Sequence, residues 1–138
     1  MDLELSERAV DGCAVVELRG ELDLSSAPGL RERLLAILTE QSVSLIIDLS
    51  GLQFMDSTGL TVLLSTERRA KLLGGALVLA APQKIVAKVL RVTGLDTHFT
   101  IFPTVAEAAR AVRQDCPRGP SAPGGPAGPT GPAEPAVP

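Results

Sequence analysis

The sequence predicts a single α/β domain: a mixed, mostly parallel β-sheet that opens with an antiparallel hairpin and packs against about four helices. Three observations predict it. Short apolar runs alternate with longer amphipathic runs from Cys13 to about Arg113. An Asp11-Gly12 step separates the first two of these runs, which is a hairpin signature. From Cys116 the composition changes abruptly, and residues 116–138 hold eight of the eleven prolines together with five glycines. The chain therefore divides into a folded domain over residues 1–115 and a disordered Pro/Gly/Ala-rich tail over residues 116–138.

The elements follow in order. Residues 2–8 alternate loosely, and Cys13 to Leu18 is apolar up to Gly20, so the two form the hairpin. After Glu21-Leu22-Asp23-Leu24, either Ser25 or Ser26 can cap a helix with Pro28 in its first turn. That helix buries Leu30, Leu34, Ile37 and Leu38 at 3.6-residue spacing and leaves Arg31, Glu32 and Arg33 outside. Ser44 to Leu49 reads as a buried strand, and Leu60 to Leu73 as a helix closed by Gly74 at a left-handed C′ position. Ala76 to Ala80 is the next strand. Pro82 is suited to N1 of a third helix, with Ile85, Val86, Val89 and Leu90 facing inward and Gly94 ending it. Phe99 to Phe102 reads as a short strand. Thr104-Val105-Ala106-Glu107 is a capping box that starts the last helix, which runs to about Arg113. Strands alternating with helices after the hairpin require parallel pairing with right-handed crossovers.

In the tail, Gly-Pro steps at Gly125, Gly128 and Gly131 echo a collagen period for three triplets only. That is too short for a triple helix, so the prediction is an extended, polyproline-like segment.

Composition excludes several functional classes. The formal charge is −3 and the basic residues are scattered apart from Arg68, Arg69 and Lys71, so no nucleic-acid footprint is expected. Those three fall late in a helix, where the dipole favours cations. With three Phe and no Tyr or Trp, the core must be aliphatic and no stacking platform for single strands exists. Cys13 and Cys116 lie far apart, which argues against a disulfide scaffold and for a reducing, cytoplasmic setting. The start, Asp2-Leu3-Glu4-Leu5, lacks the charge and apolar order of a signal peptide, and no apolar run is long enough to span a membrane. His98 is the only histidine and has no carboxylate or thiol cluster at ligand spacing, so no metal or other cofactor is expected. A Ser-His-Asp hydrolase would need His98 to reach Ser57, yet Ser57 is not in a Gly-x-Ser-x-Gly elbow, so the chain is not expected to be an enzyme.

What remains is Phe54-Met55-Asp56-Ser57-Thr58-Gly59-Leu60, a polar turn between a buried strand and a helix. It places Asp56, Ser57 and Thr58 where the first helical N–H groups lack intrahelical partners and the macrodipole favours negative charge. A phosphate on a hydroxyl there meets donors rather than apolar side chains. With Asp56 as N-cap, Ser57 occupies N1 with its hydroxyl free; with Ser57 as N-cap, that oxygen is already engaged. The first arrangement suits an acceptor that must stay available. Thr58 is either a second acceptor or support for the turn, and Asp23 either touches a partner or caps the helix after it.

Gly20-Glu21-Leu22-Asp23, the strand ending Ile47-Asp48-Leu49, and above all the Asp56-Ser57-Thr58-Gly59-Leu60 turn resemble the anti-sigma factor antagonist family of bacterial STAS domains. The resemblance covers roughly residues 3–113. It implies a partner switch: the unphosphorylated form binds an anti-sigma factor that is also a serine kinase of the histidine-kinase-like ATPase type, and thereby frees a sigma factor. Phosphorylation by that kinase ends binding, and a metal-dependent serine phosphatase restores it. On the resemblance the acceptor is Ser57, and the partner-binding residues are Asp23, Asp56, Ser57, Thr58 and Gly59. Where many relatives carry Gly after Gly-Leu, this chain has Thr61. Other STAS proteins are subunits that dock on transport systems without switching, which is the alternative function the resemblance allows.

Overall fold

The computed structural model describes residues 3–10 and 13–115. The Asp11-Gly12 turn, Cys116 and the Pro-rich tail lie outside the described residues. The elements are β1 (Leu3–Val10), β2 (Cys13–Leu22), α1 (Ala27–Glu40), β3 (Ser44–Met55), α2 (Ser57–Leu72), β4 (Ala76–Ala80), α3 (Lys84–Val92), β5 (Ile101–Phe102) and α4 (Val105–Asp115). The sheet order is β1-β2-β3-β4-β5. β1 pairs antiparallel with β2 and every later pairing is parallel, as the alternation of elements predicts.

The side-chain alternation of the strands sorts the core into two layers. Val16, Leu18, Leu45, Ile47, Leu49, Leu77 and Leu79 face α1, α2 and α3, where Leu30, Leu34, Leu63, Val86 and Leu90 complete the larger cluster. Val15, Ile46, Val78 and Ala80 point the other way, onto Ala108, Ala109 and Val112 of α4. Three helices therefore cover one face and α4 the other. All four aliphatic positions expected inside α1 are buried, with Ala27 beside them.

Boundaries in β3, α2, α3 and β5 differ from the expectation, each for a physical reason. β3 does not end at Leu49 but continues to Met55. Register shifts opposite Glu17/Arg19 and Gly20/Glu21 let β3 carry extra residues while it stays paired with β2. Gly51 lies beside the first shift, where a Cβ would come within 2.9 Å of Arg19 Cγ. α2 accordingly starts at Ser57 rather than Leu60 and ends in a Schellman closure, with Gly75 N–H donating to the Ala70 carbonyl at 2.8 Å and Gly74 at φ +88. α3 starts at Lys84 with Gln83 as N-cap, so Pro82 precedes the helix instead of occupying N1. Ala81, at φ +55, turns the chain just before it, and Gln83 Nε2 donates to the Ser50 carbonyl at 2.5 Å. In this nine-residue helix Val86 and Leu90 alone are buried, and Ile85 is 51% exposed. β5 is confined to Ile101–Phe102; Phe99 is buried in the preceding turn, its N–H bonded to the Leu95 carbonyl at 2.9 Å. In the Thr104 capping box the Glu107 N–H donates to the Thr104 hydroxyl at 3.1 Å, and the hydroxyl donates to the Glu107 carboxylate at 3.5 Å.

Candidate functional site

Leu22 and Met55 are register partners on adjacent parallel strands, and the Asp56 N–H donates to the Leu22 carbonyl at 3.2 Å. The two acidic residues that follow them, Asp23 and Asp56, thus sit side by side at the carboxyl edge of the sheet. Each organises the start of a helix by a different route. Asp56 is the N-cap of α2: its Oδ1 accepts from the Thr58 N–H at 2.9 Å and the Gly59 N–H at 3.2 Å. Asp23 stands three residues ahead of Ser26, the N-cap of α1, and ties up the turn between them. Its Oδ1 accepts from the Ser25 hydroxyl at 2.7 Å, the Ser25 N–H at 3.0 Å and the Ser26 N–H at 3.2 Å. The Ser25 hydroxyl foremost, helped by the two backbone donors and outweighing desolvation, holds the Asp23 carboxyl below its ordinary range.

With the Asp56 side chain occupying the cap, Ser57 falls at N1 and is exposed. Its carbonyl accepts the Thr61 hydroxyl at 3.0 Å, while among the described residues no hydrogen bond engages the Ser57 hydroxyl itself. Thr58 is half-buried and donates its N–H to Asp56. Gly59 is buried, and a Cβ there would lie 2.6 Å from Leu22 Cγ and 3.0 Å from Met55 Cγ. The absent side chain is what lets the helix start lie directly on the ends of β2 and β3.

A groove of about 610 Å³ runs between α1 and α2 from this point. Its α1 wall carries Ala27, Arg31 and Leu35, and its α2 wall carries Ser57, Thr61 and Ser65, each set one ridge of i, i+4 spacing. Leu24, 72% exposed, and Pro28 close the end nearest Asp23. Sequence reasoning brought together Asp23, Asp56, Ser57, Thr58 and Gly59 but missed the α1 wall and Leu24. The spacing Ala27, Arg31, Leu35 was visible, but only the packing of two helices shows that this ridge faces Ser57.

His98 is elsewhere. Its Nε2 lies 2.5 Å from Oε1 of Glu67, a side chain 7% exposed, and Lys71 Nζ is 3.9 Å from the other carboxylate oxygen. These three line a separate cavity of about 240 Å³. The structure does not bring His98 to Ser57. Among the described residues no three His, Cys, Asp or Glu side chains group as a metal site would need. No helix among them is long and apolar enough to cross a membrane.

A STAS domain family profile matches residues 5–108. The chain belongs to the STAS domain family, among the anti-sigma factor antagonists. It is 30% identical over 105 residues to the anti-sigma-F factor antagonist RsfB of Mycobacterium tuberculosis, an alignment covering 75% of this chain and 84% of that protein. It is 36% identical over 95 residues to the anti-sigma-B factor antagonist of Bacillus subtilis, covering 69% and 86% respectively. Among solved structures it is similar to the anti-sigma factor antagonist SpoIIAA in its unphosphorylated form, at a TM-score of 0.69 and 28% identity over 82% of this chain and 97% of that one. SpoIIAA, a Bacillus cell fate determinant, has also been solved phosphorylated, at a TM-score of 0.63 and 26% identity over 81% of this chain and all of that one. In this STAS domain the α2 cap and the groove beside it are the features that the rest of the fold holds in place.

Proposed function

We propose that this STAS domain is an anti-sigma factor antagonist whose unmodified Ser57 turn binds an anti-sigma factor, and that phosphorylation of Ser57 ends the binding. The partner is a serine kinase of the histidine-kinase-like ATPase type, a serine phosphatase reverses the modification, and the released sigma factor is the output. The protein acts in the cytoplasm by binding, without catalysis of its own. The partner-binding surface comprises Asp23, Asp56, Ser57 and Thr58, with Gly59 contributing by setting the seat of the helix.

The observation that carries this reading is the Ser57 hydroxyl, exposed and unengaged at N1 because Asp56 already satisfies the cap. A phosphate there brings about −1.5 to −2 charges beside Asp56. The helix N-terminus offsets this by about 0.3 to 1 kcal/mol, so the fold persists. A protein packed over the turn must instead desolvate a dianion, at a cost on the order of several kcal/mol, and each 1.4 kcal/mol is about tenfold in affinity.

Incubation with ATP and a candidate serine kinase, followed by phosphosite mapping and calorimetric binding, tests the proposal. Phosphate on Ser57, its absence in Ser57→Ala, and at least a hundredfold weaker binding of the phosphorylated form are expected. Binding indifferent to both phosphate and Ser57→Glu would overturn the switch and indicate a STAS subunit that docks on a transport system.

A further inference from the structure

We infer that Arg31 is the internal receptor for a phosphate on Ser57, so that modification bridges the α1–α2 groove as well as charging its rim. The inference rests on Ser57 being the phosphorylated residue and concerns what the phosphate does once attached.

Arg31 and Ser57 line the same groove, and Arg31 is the one cation among the residues that line it. Both helices return from the carboxyl ends of adjacent parallel strands, so they run in the same direction with their N-termini at the same edge. Ala27 and Ser57 begin the two facing ridges, and Arg31 stands one turn further along α1. Long helical side chains lean toward the N-terminus and cover the turn before their own Cα. An arginine leaning that way can reach back toward the level of Ser57, across a gap that is about 8 to 10 Å between the axes of packed helices.

Arg68, Arg69, Lys84, Lys88, Arg91 and Arg110 are exposed and make no ion pair among the described residues, but none of them lines the groove; four further cations are held by carboxylates. Arg8 is paired with Glu17 and Asp48, Arg19 with Glu17, Arg33 with Glu7, and Lys71 with Glu67. Arg31 is exposed and makes no ion pair among the described residues. It neighbours Glu32, which also lines the groove and repels a phosphate, so the anion has one favourable direction to turn. Of the first backbone donors of α2, the Thr58 and Gly59 N–H groups already bond Asp56, which leaves the Ser57 N–H to share the phosphate with Arg31. A planar guanidinium can give two parallel hydrogen bonds to phosphate oxygens, which an ammonium cannot. The consequence is a switch with two parts. The charge repels a partner, and the bridge covers the apolar side chains of Ala27, Leu35 and Val62 that line the groove.

The test uses the full chain with phosphoserine installed at position 57 by an expanded genetic code, so no kinase is required. Pairing with Arg31 favours the phosphate dianion and lowers its second pKa, which 31P NMR titration reads directly. In Arg31→Gln the midpoint is expected to rise by about half a pH unit or more, and Arg31→Lys to recover part of the difference. Arg33→Gln, whose native partner is Glu7, is expected to leave the midpoint unchanged. Equal midpoints in the native, Arg31→Gln and Arg31→Lys forms would overturn the inference. That failure is distinct from failure of the functional reading, which is decided by whether a kinase modifies Ser57 and whether binding responds.

Discussion

Replacing Gly59 with alanine tests whether the α2 N-terminus is seated by close approach. The added Cβ would sit 2.6 Å from Leu22 Cγ, 2.7 Å from Leu22 Cδ2 and 3.0 Å from Met55 Cγ, where ordinary contacts begin at 3.4 Å. Leu22 and Met55 are 0% and 1% exposed, so neither can swing into solvent to make room. Overpacking of this kind costs about 1 to 3 kcal/mol. Against it stands the helix propensity of Ala over Gly, at most about 1 kcal/mol and less in a first turn. The net expectation is a loss of about 1 to 2 kcal/mol, or roughly 5 °C or more in melting temperature for a domain near this size. Gly29 provides a matched control, because it occupies the equivalent third position of α1 and a Cβ there meets nothing within 4 Å. Gly29→Ala should be neutral or stabilising by up to about 1 kcal/mol. Urea unfolding followed by far-UV circular dichroism measures both variants. If Gly59→Ala proves as stable as Gly29→Ala, the helix start is not pressed onto Leu22 and Met55 as described.

Two further predictions concern the acidic pair. Asp56→Ala removes the acceptor for two N–H groups and should cost about 0.5 to 2 kcal/mol in chemical denaturation, whereas Asp56→Asn, which keeps an oxygen at the cap, should cost less than half as much. Asp23 should titrate below the ordinary aspartate range by NMR, with Ser25→Ala moving it upward because the dominant donor is lost. Since its folded pKa is depressed, the stability Asp23 contributes is present above the unfolded pKa and lost as the pH falls through the folded one. Ser25→Ala should therefore narrow the acid-side window over which the Asp23 turn stays ordered, read from the backbone amide resonances of positions 25 and 26.

Local pattern carried a good part of this protein. The two side-chain periods, 2 for strands and 3.6 for helices, mark which residues of an element share a face, and that suffices for the element order, the parallel sheet and the interior of α1. Capping is equally local: a carboxylate two or three residues ahead of orphan N–H groups is enough to put Asp56 at the cap and leave Ser57 free. Other features depend on which faces meet, and no spacing within one segment encodes that. Strand pairing with β2 extended β3 six residues past Leu49, because bulges absorb residues that read as a break. A short α3 turned Ile85 outward although it is as apolar as its buried neighbours. Folding seated His98 on Glu67, 31 positions away in the chain. The apposition of two ridges from different helices put Arg31 and Ser57 in one groove, made from residues whose spacing within each helix does not show what they face. The sequence by itself determined the chemistry at the start of α2, because caps are made by neighbours. Tertiary structure alone decided what that chemistry faces, because the partners across the groove come from elements whose meeting is set by the packing of the whole sheet.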